Sequence, residues 1–62
     1  MKYKVNDIVN VHSYDLRLIG KIIHIGMNKF GFISVIVKTK NSKLFEICEQ
    51  DITMKLGEAK NV

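Results

Sequence analysis

Two phenylalanines set two apart carry the clearest chemical potential in this chain: Phe30 and Phe32, in Lys29-Phe30-Gly31-Phe32-Ile33-Ser34-Val35. On a strand, side chains two apart share a face, so the rings would form one flat apolar platform. A base stacked on such a ring gains about 1–3 kcal/mol whatever its sequence. Lys29 and Lys38 flank the segment, and Lys21 and Lys40 are close enough in sequence to join them. Their ammonium groups could neutralise phosphates and release counterions. Nine of the ten basic residues are lysine. Lysine lacks the planar fork of arginine, so backbone contact is expected rather than readout of base edges. The candidate site is therefore Phe30, Phe32, Lys21, Lys29, Lys38 and Lys40. Its expected ligand is RNA or single-stranded DNA, held with low sequence specificity. A protein-binding adaptor or inhibitor is the competing expectation, because exposed aromatics also mark protein interfaces.

Other chemistry finds little footing. Ser13, Ser34 and Ser42 have no glycine-framed elbow around them. His12, His24 and Cys48 follow no zinc-ligand spacing. Glu46, Glu49 and Asp51 cluster without an opposing acidic pair, and Gly26 and Gly31 do not make a phosphate loop. No metal, no cofactor and no enzymatic activity are expected.

Sixty-two residues suffice for one domain, which buries only about 60% of its unfolded surface. Apolar residues make up 47% of the chain, and most of them are Ile and Val, which suit pleated sheet. There is no proline to exclude a strand. Asn6-Asp7 opens as a turn, and short runs at 8–12, 21–25, 30–38, 44–48 and 52–56 read as strands. Residues 13–20 read as a long connection that tucks Leu16 and Leu18 toward the core, and 49–51 as a single 3₁₀ turn. In the third run Gly31, Ile33, Val35 and Val37 form a wholly apolar row. Phe30, Phe32, Ser34, Ile36 and Lys38 form the other row, which places both rings outward. Residues 1–56 would form the domain and 57–62 a polar tail.

Connections this short leave no room for parallel crossovers, so the sheet must be antiparallel. A small five-stranded sheet avoids bare edges by curling into a barrel. The runs Val5-Asn6-Asp7-Ile8-Val9-Asn10-Val11, Gly20-Lys21-Ile22-Ile23, Leu44-Phe45-Glu46-Ile47 and Glu49-Gln50-Asp51-Ile52 resemble SH3-like barrels of the KOW and Tudor type. That resemblance implies an all-β, five-stranded antiparallel barrel. Locally, Lys29-Phe30-Gly31-Phe32-Ile33 is similar to the K-G-F-G-F-I signature strand of cold-shock domains, one glycine short, which gives an OB-like barrel as the alternative. In that family both phenylalanines stack on bases of single strands. The chain departs from that family at His24-Ile25 and at Leu44-Phe45-Glu46-Ile47-Cys48, where Glu46 on the outer face would repel phosphate.

Charge is uneven along the chain. Residues 1–43 carry eight basic side chains against Asp7 and Asp15, whereas 44–62 carry Lys55 and Lys60 against four carboxylates. A basic body of this kind suits a polyanion. The single Cys48 makes no internal disulfide, no signal-peptide core opens the chain, and no apolar run approaches the roughly 20 residues needed to cross a bilayer. A cytoplasmic monomer or weak homodimer with no membrane association is the expectation. The short length and Ile/Lys/Asn-rich composition also fit a protein encoded by a phage or other mobile element.

Overall fold

A computed structural model describes residues 2–59. Five strands, β1 (Asp7–Ser13), β2 (Leu16–Met27), β3 (Ile33–Thr39), β4 (Leu44–Cys48) and β5 (Ile52–Glu58), form one antiparallel sheet, with a single 3₁₀ turn at Glu49–Asp51. Spatial order is β4-β3-β2-β1-β5. The meander β1 to β4 thus pairs in sequence, and β5 returns to lie beside β1. The fold is all-β and antiparallel, as the sequence implies, and is consistent with an SH3-like barrel. The sheet is not closed: among the described residues no ladder joins β4 to β5.

Strand β2 holds the sheet together because it pairs along its first half with β1 and along its second half with β3. To serve both, it must turn its core-facing side. The register slips between Ile22 and His24, which leaves Ile23 as an extra residue. Such a bulge shifts side-chain alternation by one and bends the strand. Leu16, Leu18 and Ile22 face inward before it, and Ile25 after it. Gly20 makes the bend possible: a Cβ there would overlap Val37 Cγ1 and lie 2.7 Å from the Lys38 carbonyl oxygen. The Ile22 carbonyl accepts a 2.8 Å hydrogen bond from the Asn6 N–H, tying the entry of β1 to the bulge.

Inside the curled sheet, Val9, Val11, Ile22, Val35 and Val37 are fully buried, with Tyr3, Ile47 and Ile52 closing around them. The inward row of β3 is thus Val35 and Val37, with Ile33 half-buried at its end. Several expected boundaries differ. The 13–20 segment is not a long connection, because β2 begins at Leu16 and Ser13 pairs directly with it across Tyr14-Asp15. Tyr14 takes φ 52° in that tight turn, a conformation rare for a bulky residue, so its type gives no turn signal. Leu16 and Leu18 do pack on the core. Strand β3 begins at Ile33 rather than Phe30, and Gly31 is exposed rather than part of the inward row. Strand β5 continues through Glu58, and the Ala59 N–H donates to the Asn6 carbonyl at 2.7 Å. The tail therefore does not start at Gly57, and its residues 60–62 lie outside the described residues.

One polar group is buried where β1 meets β5. Asp7 is 1% exposed. Its Oδ2 accepts the Lys4 N–H at 3.0 Å, and its Oδ1 lies 3.4 Å from Lys55 Nζ. Lys55 also donates to Glu58 Oε1 at 2.6 Å. Breaking a buried charge pair by removing one partner is costly, so Asp7→Ala should lose about 3 kcal/mol of stability in urea unfolding, despite leaving no large cavity. The hydrogen bond from Lys55 and the nearby Lys4 charge hold the Glu58 carboxyl below its ordinary 4.5. Its contribution is complete above 4.5 and is lost as pH falls through the lowered value. Hydrogen bonding to Glu58 raises Lys55 above 10.5 despite some desolvation, so its contribution is complete below 10.5 and lost as pH climbs through the raised value. Stability should be flat through neutrality and fall at both extremes, with Glu58→Gln removing part of the acid limb in a pH series of thermal melts.

Candidate nucleic-acid interface

Phe30 and Phe32 do not sit on a strand. They belong to the five-residue loop 28–32 that joins β2 to β3, closed by the Met27–Ile33 pair. Asn28 builds this loop. Its side-chain oxygen accepts the N–H groups of Phe30 at 2.9 Å and Phe32 at 3.1 Å. Its backbone N–H donates to the Phe32 carbonyl at 2.8 Å, and its carbonyl accepts the Gly31 N–H at 3.0 Å. An asparagine side chain bonding backbone two residues ahead offers the chain an alternative to the ladder, which is why β3 starts late. Gly31 completes the loop at φ +85°. Nothing lies within 4 Å of a Cβ placed there, so the constraint on Gly31 is conformational rather than steric.

The loop holds both rings in water. Phe30 is 73% exposed and Phe32 63%. The outward placement inferred from strand alternation is correct, although a hydrogen-bonded loop produces it. Lys29 Nζ lies 5.3 Å from the Phe30 ring centroid, within cation–π range. Phe32 forms one wall of a cleft of about 370 Å³ completed by Gly31, Ile33, Cys48, Glu49 and Gln50. Cys48 in that wall is half-buried.

The remaining lysines gather at the other end of the same hairpin. Lys21 and Lys38 are direct cross-strand partners. Their chain neighbours Gly20, Ile22 and Val37 face inward, so both ammonium stems emerge on the outer face. With Lys40 from the β3–β4 turn they line a shallow groove of about 390 Å³, floored by Ile8, Ile19 and Gly20 and edged by Thr39 and Ser42. Like charges directly opposite on a sheet destabilise it. Among the described residues the ion pairs involve only Lys4 and Lys55 as cations, so no carboxylate offsets this repulsion. A bound anion would.

The six expected residues thus form two clusters, Lys29-Phe30-Phe32 and Lys21-Lys38-Lys40. Five residues of β3, Ile33 to Val37, separate Phe32 from Lys38, six steps that span roughly 20 Å at strand rise. Two participants escaped sequence reasoning. Asn28 looked like a strand terminator, and only its hydrogen bonds reveal it as the organiser of the loop. His24 looked like a structural strand histidine, yet it is exposed on the outer face, with Nε2 reaching over Gly26 to within 3.1 Å of where a Cβ would stand. Among the described residues no group of three or more His, Cys, Asp or Glu is arranged to hold a metal ion.

No protein-family model, no curated protein and no solved structure matches the chain. Asn28→Ala should speed amide hydrogen exchange at Phe30 and Phe32 while Val35 and Val37 stay protected. Gly31→Ala should cost about 1 kcal/mol through its left-handed backbone.

Proposed function

We propose that this chain is a non-catalytic binding module for single-stranded nucleic acid, RNA or DNA, with low sequence specificity. The observation that carries the reading is the exposure of Phe30 and Phe32 on a loop whose backbone is fixed by Asn28. Two large rings held in water by design of the loop, with an ammonium group beside one of them, suit stacking on bases next to a phosphate. The uncompensated Lys21-Lys38-Lys40 groove supports the same reading, since a polyanion relieves its self-repulsion. Such a module works as a cytoplasmic monomer or weak homodimer. No helix among the described residues is long and apolar enough to cross a membrane. The SH3-like resemblance accords with a barrel used as a binding platform.

A protein partner is the second reading, favoured by Met27. It is 71% exposed at the base of the loop, a third large exposed apolar side chain at this end of the hairpin. Salt separates the two. With four lysines on phosphates, oligonucleotide affinity should fall roughly 50-fold between 50 and 200 mM salt, from a slope near −0.7 per contact. Phe30→Ala or Phe32→Ala should each weaken binding about 5- to 150-fold, with the fold intact by circular dichroism. Absence of binding to a labelled oligonucleotide at low salt rejects the nucleic-acid reading and leaves the protein one.

A further inference from the structure

The two clusters lie at opposite ends of one hairpin, and what lies between them is not neutral ground. In the row of β3 that faces away from Val35 and Val37, the residues between Lys38 and Phe32 are Ile36, half-buried, and Ser34, buried at 9% exposure. On the β2 side they are paired with His24 and Gly26, and on the β4 side with Glu46 and Cys48. Glu46 Oε2 accepts the Ser34 hydroxyl at 2.9 Å, which fixes a negative charge on one flank. The other flank carries none: His24 is exposed and lays its ring over Gly26. A phosphate chain crossing from the lysine groove to the loop is repelled by the β4 side and meets no carboxylate on the β2 side.

Resting on the nucleic-acid reading above, we infer that a single strand lies along the β2–β3 seam, with its phosphates in the Lys21-Lys38-Lys40 groove, its middle over His24 and Gly26, and its bases on Phe32 and Phe30. The seam, about 20 Å long, holds about six nucleotides at a stacked rise of ~3.4 Å. A dinucleotide reaches one cluster only. Once a strand is long enough to reach both, the second contact is intramolecular and affinity rises without any new kind of contact. The site thus selects by strand length while remaining indifferent to sequence. His24 acts as a positioning surface in the middle, and Glu46 acts as a fence that keeps the strand off β4.

The test is fluorescence anisotropy of the full chain with labelled oligothymidylates and oligouridylates of two, four, six and twelve nucleotides at 50 mM salt. Affinity should climb at least 30-fold from two to six nucleotides, then change less than about threefold from six to twelve. Tighter binding of either series would name DNA or RNA as the natural source of the same chemistry. Glu46→Gln keeps an acceptor for Ser34 and removes the charge, so hexanucleotide binding should tighten about twofold, a gain that structural damage does not produce. His24→Ala should weaken the hexanucleotide about threefold and leave the dinucleotide unchanged. If the dinucleotide binds as tightly as the dodecamer, the bridging inference fails while the nucleic-acid reading stands. A Glu46→Gln variant that binds no more tightly than the parent also overturns the path along the β2–β3 seam. If no length binds, the nucleic-acid reading itself fails.

Discussion

Everything in this fold depends on one strand having to face two ways. Strand β2 is shared by the β1 and β3 ladders, and its core-facing side changes at the Ile23 bulge while Gly20 lets β3 approach closely. A regular strand of the same length would keep a single inward row and send Ile25 out to water. The bulge instead curls the sheet over Val9, Val11, Ile22, Val35 and Val37, so that a chain of 62 residues encloses a core without a disulfide. It also decides what the outer face shows. Lys21 precedes the bulge and His24 follows it, and the added residue puts His24 on the same outer face as Lys21.

Polar placement divides the molecule into two regions. Where β1 meets β5, opposite charges are paired in a small network of Asp7, Lys55, Glu58 and Lys4 that fastens the last strand to the first. Along the β2–β3 hairpin two lysines stand face to face with a third beside them, and none of the three is in an ion pair among the described residues. The apolar groups divide in the same way. Valines fill the interior, while both loop phenylalanines are kept out of it by hydrogen bonds to Asn28. A fold with a thin stability margin that holds repelling lysines and solvated rings on one hairpin carries local costs, and such costs concentrate at functional sites.

Much of the architecture was legible in the residues. Strand β4 and the 3₁₀ turn fall where Leu44–Cys48 and Glu49–Asp51 were expected, because alternation and polar punctuation there agree. The first strand and the inward Val35 and Val37 follow from the same alternation. Misreadings arise where the backbone departs from residue preference. A two-residue turn built on Tyr14 at positive φ carries no glycine or asparagine to announce it, so the first five residues of β2 looked like a connection. An apolar, alternating run at 30–33 looked like strand, yet one asparagine side chain captured its amides. The bulge is invisible to pattern reading, because Ile22-Ile23 reads as an ordinary apolar pair. Of the six candidate residues, Lys29, Phe30, Phe32, Lys38 and Lys40 are exposed and Lys21 is half-buried, but their division into two ends of one hairpin was not legible in the residue types.

Amide chemical-shift mapping during titration with a hexanucleotide addresses the central claim most directly. Shifts should concentrate on Lys21, His24, Gly26, Lys38 and the 28–32 loop, and leave Thr53–Glu58 of β5 unmoved. Perturbations confined to β5 and the outer edge of β1, or spread evenly without saturation, would contradict a built nucleic-acid surface on the β2–β3 hairpin.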